Sequence, residues 1–190
     1  QADLTLSMPL QRMEDRRQLL GSLDTWKRQL DIDPNVESMG SQEVLAFDVL
    51  RRGISDAFDV SKEDPRLLAR YDTAHLLPRD RIDPKWKNID HYADNAASLG
   101  KLLLMARRLC ERGCGFVTVT TSFVWDMHAD ANNAPVTTGM DYVGRPFDHA
   151  VSALIEDIEA RGLRDKIMLV CCGEMGRTPR INARGGRDHW

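Results

Sequence analysis

Two short apolar stretches decide how this chain reads: Gly115-Phe-Val-Thr-Val-Thr-Thr121 and Lys166-Ile-Met-Leu-Val-Cys-Cys172. The first is β-branched, and the second is apolar almost throughout. Both are too short for a helix of ordinary length and have strand composition. Between them, residues 148–162 (DHAVSALIEDIEARG) place Val151, Leu154, Ile155 and Ile158 on one helical face, with Gly162 as the stop. Upstream, residues 95–113 (NAASLGKLLLMARRLCERG) form another strong helix pattern, closed by Gly113. Helix, strand, helix, strand with unbroken apolar strands predicts an α/β fold: a mostly parallel central sheet flanked by helices.

The rest of the chain reads as helical or irregular. Residues 8–30 carry Met13, Leu20, Leu23, Trp26 and Leu30 at three- and four-residue steps, an amphipathic pattern. Residues 32–40 read as a loop, 41–52 as a second helix capped by Ser41, and a third helix starts near Ser61 with Pro65 in its first turn. The stretch 76–94, with two prolines and many charges, reads as an irregular insertion. The expected organisation is a single domain over 1–190, mainly helical to 114 and strand–helix–strand from 115 to 190. Gln1 at the start and a charged motif directly before Trp190 at the end suggest part of a larger domain. A truncated sheet would expose an edge and favour self-association.

Composition excludes several functions. With 190 residues and a formal net charge of −3, there is no global basic field for nucleic acid. No run approaches the roughly 18 apolar residues of a membrane span. Cys110, Cys114, Cys171 and Cys172 do not form the paired CxxC spacing of a zinc ribbon and read as small buried hydrophobes.

In open α/β sheets ligands bind beyond the carboxyl ends of the strands. That rule selects two loops. The first, 122–146, holds Asp126 and His128, which face the same way in an extended segment and together suit zinc, manganese or iron. Asp130 is an alternative ligand, and a surface Asp beside a hydrogen-bonded His is the competing explanation. The second loop holds Glu174 between Gly173 and Gly176, then Arg177 and Arg180, then Asp188 and His189. Arginine donates paired hydrogen bonds to tetrahedral oxyanions; a solvated basic loop accounts best for Arg184. Carboxylates and histidines for a metal, with arginines for an anion, form the layout of phosphate- or sulfate-ester hydrolysis. No nucleophile is identified; Thr121 and Ser122 merely lie near the rim.

The string GEMGRTPRINARGGRDHW (173–190) resembles the signature of the bacterial domain of unknown function 1501 family. AFDVSKED (57–64), LLLMARRLCERGCGFVTV (102–119), WDMH (125–128) and FDHAVSALIEDIEARGL (147–163) agree with it. Met175 stands where Phe is usual, and 76–94 is longer than the pattern. The family is similar in layout to the alkaline phosphatase and sulfatase superfamily. The resemblance implies a metal-dependent hydrolase of an anionic phosphate or sulfate ester, exported to the periplasm or cell surface. It implies Asp126, His128, Glu174, Asp188 and His189 as ligands of a divalent metal: zinc or manganese first, calcium or magnesium after them. It implies Arg177, Thr178 and Arg187 around the anion. Glu174-Met175 replaces the Asp-His usual in the superfamily, which leaves open a non-catalytic, metal- or anion-binding descendant.

Overall fold

The computed structural model describes residues 8–28, 54–122, 125–173 and 175–190. The chain divides into two compact units, Gln1–Asp59 and Val60–Trp190. In the first, α1 spans Leu10–Arg28 and α2 spans Ile54–Ala57. The loop and helix read from the sequence at 32–40 and 41–52 lie outside the described residues.

The second unit carries the site. α3 spans Pro65–Tyr71; its N-cap is Asp64, whose carboxylate accepts from the Arg66 amide at 2.7 Å. Ser61 instead sits in a short 3-10 turn, Val60–Lys62. Pro65 occupies the first helical position, where its missing N–H costs nothing. The expected irregular insertion ends early, because α4 runs Ile89–Glu111 and so begins six residues before the apolar pattern does. α5 runs Val136–Ala160 and takes in Pro146, so nearly half of the long loop expected at 122–146 is helix. Both long helices end as their glycines require: Gly113 and Gly162 adopt φ of 88° and 65°.

α4 and α5 lie side by side and run in the same direction. Tyr92 and Tyr142 meet edge to face at 5.2 Å. Fifteen residues later on each helix, Arg107 Nε donates to Asp157 Oδ2 at 2.8 Å. One end of the pair is cored by Leu77, Ile82, Tyr92, Ala96, Met127, Ala134, Tyr142 and Val143. The other is cored by Tyr71, Leu99, Leu103, Leu104, Ala150, Ala153, Leu154 and Ile158. Beside this second cluster lies a buried ionic network. Arg107, with 1% of its side chain exposed, meets Glu63, Glu111 and Asp157. Arg161 reaches the same three carboxylates, Arg108 pairs with Glu63, and Tyr71 donates its hydroxyl to Asp157. Three arginines and three acids balance, the condition under which burying charge is tolerated.

Parallel neighbouring helices force the chain to return between them. Fifteen helical residues advance about 22 Å, a span that roughly seven extended residues cover. The segment 115–121 makes that return, and its β-branched residues suit the extended backbone. Val119 and Ile167 both pack on the second core cluster.

The expected central parallel sheet is not what forms. Among the described residues neither 115–121 nor 166–172 is a strand, and the sole β-bridge joins Arg177 to His189. A strand is defined by hydrogen bonds to a neighbour, and composition supplies the extended conformation without supplying the partner. Apolar side chains along both segments face solvent: Phe116 is 90% exposed and Met168 85%. Cys171 and Cys172 are likewise exposed rather than buried, and the four cysteines are free thiols. No described helix is long and apolar enough to cross a membrane.

Candidate metal centre

The return segment delivers residues 125–133 to the N-terminal ends of α4 and α5. The Asn88 amide donates to Asn132 O at 3.2 Å, and the Ala134 amide donates to the Tyr92 hydroxyl at 3.1 Å. Extended alternation sends Met127 into the core, leaving Asp126 and His128 on the opposite side. The backbone then turns sharply. Ala129 has φ 58°, a left-handed conformation unusual for a residue with a Cβ. Asp130 secures the turn, its Oδ1 accepting from the Asn132 and Asn133 amides at 2.7 Å each.

The second half of the site is a short two-stranded ribbon, 176–178 against 188–190. The Thr178 amide donates to Asp188 O at 2.9 Å and the Trp190 amide to Gly176 O at 3.1 Å. Those bonds flank the facing pair Arg177 and His189, which is therefore the closely spaced kind of antiparallel pair, with both side chains on one face. Asn182 organises the intervening loop. Its Oδ1 accepts from the Arg184 and Gly186 amides, and its Nδ2 donates to Asp188 Oδ1 and to His128 O, both at 3.0 Å. The Arg187 amide also donates to Met127 O at 2.9 Å. The ribbon thus docks main chain to main chain on the Asp126–His128 segment. Only glycine fits at 186, where a Cβ would lie 2.2 Å from the His128 carbonyl carbon.

Docking makes the side chains converge on Asp126, which is 6% exposed. Arg177 Nη1 donates to Asp126 Oδ1, and His189 Nε2 lies 2.8 Å from the same oxygen. Burial pushes the Asp126 carboxyl up, but Arg177, His189 and His128 outweigh it and hold it at about 2. His128 Nδ1 is 2.9 Å from Asp126 Oδ1 without the alignment of a hydrogen bond, so this buried nitrogen has no hydrogen-bond partner. His128 Nε2 lies 3.1 Å from Asp130 Oδ2. Burial lowers the His128 pKa, and the carboxylates of Asp126 and Asp130 more than reverse this. With Nε2–H directed at Asp130, a neutral His128 presents a bare Nδ1 lone pair to a carboxylate oxygen. Two acceptors at that distance call for a proton or a cation between them. One ligand atom each from Asp126, His128 and His189 lies within 4.8 Å of the others, so the three can hold a metal ion together. The donor set fits zinc or manganese, and the His128–Asp130 contact is the outer contact that metal-binding imidazoles normally make.

The other residues singled out in the sequence fall elsewhere. Glu174 lies outside the described residues. Asp188 is exposed and turned to Asn182, outside the three-residue group. Thr178 Oγ1 donates to Arg180 O and accepts from the Asp188 amide, stitching the ribbon. The Arg187 guanidinium is engaged with the carbonyls of Thr178 and Arg177. His75 and His91 are exposed, and His149 lies mid-helix beside Arg70. Sequence reading missed Asn182 and Gly186; an Asn followed shortly by a Gly-Gly pair is the turn signal that points to both.

Two parallel helices with an Asp–His–His cluster at one end, closed by an arginine-bearing ribbon, define a helical unit with a candidate metal centre. Over residues 1–190 the chain matches the family described as Protein of unknown function (DUF1501), and it belongs to that family. No curated protein and no solved structure matches it.

Proposed function

We propose that Asp126, His128 and His189 hold a divalent metal, zinc or manganese, and that the protein is a metal-dependent hydrolase of phosphate or sulfate esters. The observation that carries this reading is the buried His128 Nδ1, left without a hydrogen-bond partner 2.9 Å from Asp126 Oδ1. Two imidazoles disfavour calcium and magnesium, which prefer all-oxygen shells. The likeness to the alkaline phosphatase and sulfatase superfamily is proposed on these residues and the motif around them alone. Export to the periplasm or cell surface belongs to the same proposal.

A bound divalent ion supplies Lewis-acid polarisation of an ester oxygen and lowers the pKa of water towards about 7. The chain's own residues do the rest. Asp126 contributes the negative charge and the two histidines neutral nitrogen donors. Asp130 fixes the His128 tautomer by accepting from Nε2. Arg177 stands beside the group with a planar fork matched to a tetrahedral oxyanion.

A second reading, a metal- or anion-binding protein without turnover, has its own support. Two hydroxyls singled out in the sequence are engaged: Thr178 within the ribbon, and Ser122 donating to Asp94. Zinc and manganese content after dialysis, for wild type and His128→Ala, tests the centre. Hydrolysis of p-nitrophenyl phosphate and sulfate by the metal-loaded protein separates the two readings. Metal held by wild type alone, with turnover, supports the hydrolase. Metal without turnover supports the binding protein, and equal absence of metal from both chains sinks the centre.

A further inference from the structure

We propose that Arg177 is a built-in counter-ion that occupies Asp126 until a divalent cation displaces it, and that its release makes cation and oxyanion bind cooperatively. The proposal rests on the metal reading above and adds the regulation of that site.

Three observations carry it. First, Arg177 Nη1 donates to Asp126 Oδ1, the oxygen that both imidazoles also approach. A cation held by the three residues must share that oxygen with the guanidinium or replace it. Second, the charges count the same way. Asp126 and Asp130 bring two negative charges and Arg177 one positive, so with both imidazoles neutral the cluster is short by one unit while Arg177 is in place. With a divalent ion the two carboxylates are balanced, and the guanidinium becomes a repelled like charge. Third, Arg177 is free to leave. Among the described residues its guanidinium makes no other hydrogen bond, and its side chain is 22% exposed. Its backbone stays pinned opposite His189, so the side chain can swing without carrying that ligand away. Arg187 cannot do this, because it is fastened to two carbonyls.

A displaced guanidinium beside a bound cation is a ready site for a tetrahedral dianion, which satisfies both charges at once. Linkage then requires each ligand to tighten the other.

Calorimetric titration with zinc tests this on wild type, Arg177→Met and Arg177→Gln, each with and without millimolar sodium sulfate at matched ionic strength. Thermal melts verify that the variants are folded, and two neutral replacements guard against the failure of either. Losing a charge-assisted competitor tightens zinc binding by about tenfold in both variants when sulfate is absent. Sulfate tightens wild-type binding at least about fivefold and leaves the variants unmoved. Folded variants that bind zinc no tighter than wild type overturn the proposal, as does a sulfate effect that persists in them. If wild type takes up no more zinc than His128→Ala, the metal reading itself has failed and this proposal falls with it.

Discussion

Gly186→Ala alters no candidate ligand, yet it should dismantle the centre. The added Cβ would lie 2.2 Å from His128 C, 2.4 Å from His128 O and 2.7 Å from Ala129 N. Carbon atoms rest at about 3.5 Å, so the shortfall is about 1.3 Å. All three obstructing atoms are main chain and cannot rotate aside, so the ribbon must withdraw. A shift of that size stretches Arg187 N to Met127 O (2.9 Å) and Asn182 Nδ2 to His128 O (3.0 Å) beyond hydrogen-bond range. Each bond is worth about 1 kcal/mol net, so docking weakens by about 2 kcal/mol. His189, three residues on, moves with it. Zinc affinity measured by titration should fall tenfold or more. The melt of the α4–α5 core should shift by only a few degrees, because neither core cluster includes the ribbon. Gly115→Ala, where an added Cβ meets nothing within 4 Å, should bind zinc as wild type does. Unchanged zinc affinity in Gly186→Ala would refute the claim that close main-chain docking builds the site.

Other outcomes follow from the same contacts. Arg107→Met removes the most buried cation of the network and leaves its three acids facing two arginines; removing one partner of such a network costs about 3–5 kcal/mol. The melting temperature should drop by about 10–20 °C, and a drop under about 3 °C would mean the network is dispensable. Asp130→Asn keeps a turn-forming oxygen but weakens the hold on His128 Nε2, so zinc affinity by titration should fall about tenfold. The Asp126 carboxyl, lowered from 3.8 to about 2, binds fewer protons folded than unfolded. Its stabilisation, about 2 kcal/mol, is therefore present above about pH 4 and lost as pH falls towards 2. Denaturant titrations of wild type and Asp126→Asn should differ most near pH 5 and converge near pH 2; a gap independent of pH would contradict this.

Local signals account for what could be read in advance. Periodicity identified α4 and α5, and Gly113 and Gly162 marked their ends, because helices are built from contacts three and four residues apart. The pairing of Asp126 with His128 was legible as an i, i+2 relation in an extended segment. Helix starts were less legible: α4 begins at Ile89 and α5 at Val136, within polar sequence that tertiary contacts hold helical.

The sheet failed for a reason of kind. Residues 115–121 and 166–172 have the composition of strands and the first traces an extended path, but a ladder depends on a second backbone at hydrogen-bonding distance, which composition does not encode. The same holds at the centre. Glycine at 186, asparagine at 182 and the facing of Arg177 with His189 acquire meaning only when the ribbon closes on a segment about sixty residues away in the chain. The sequence by itself determined the helices, their stops and the residue types able to hold a cation. Tertiary structure decided which of those residues meet, because convergence on one carboxylate oxygen depends on distance in space, and long-range contacts leave no periodic trace in the chain.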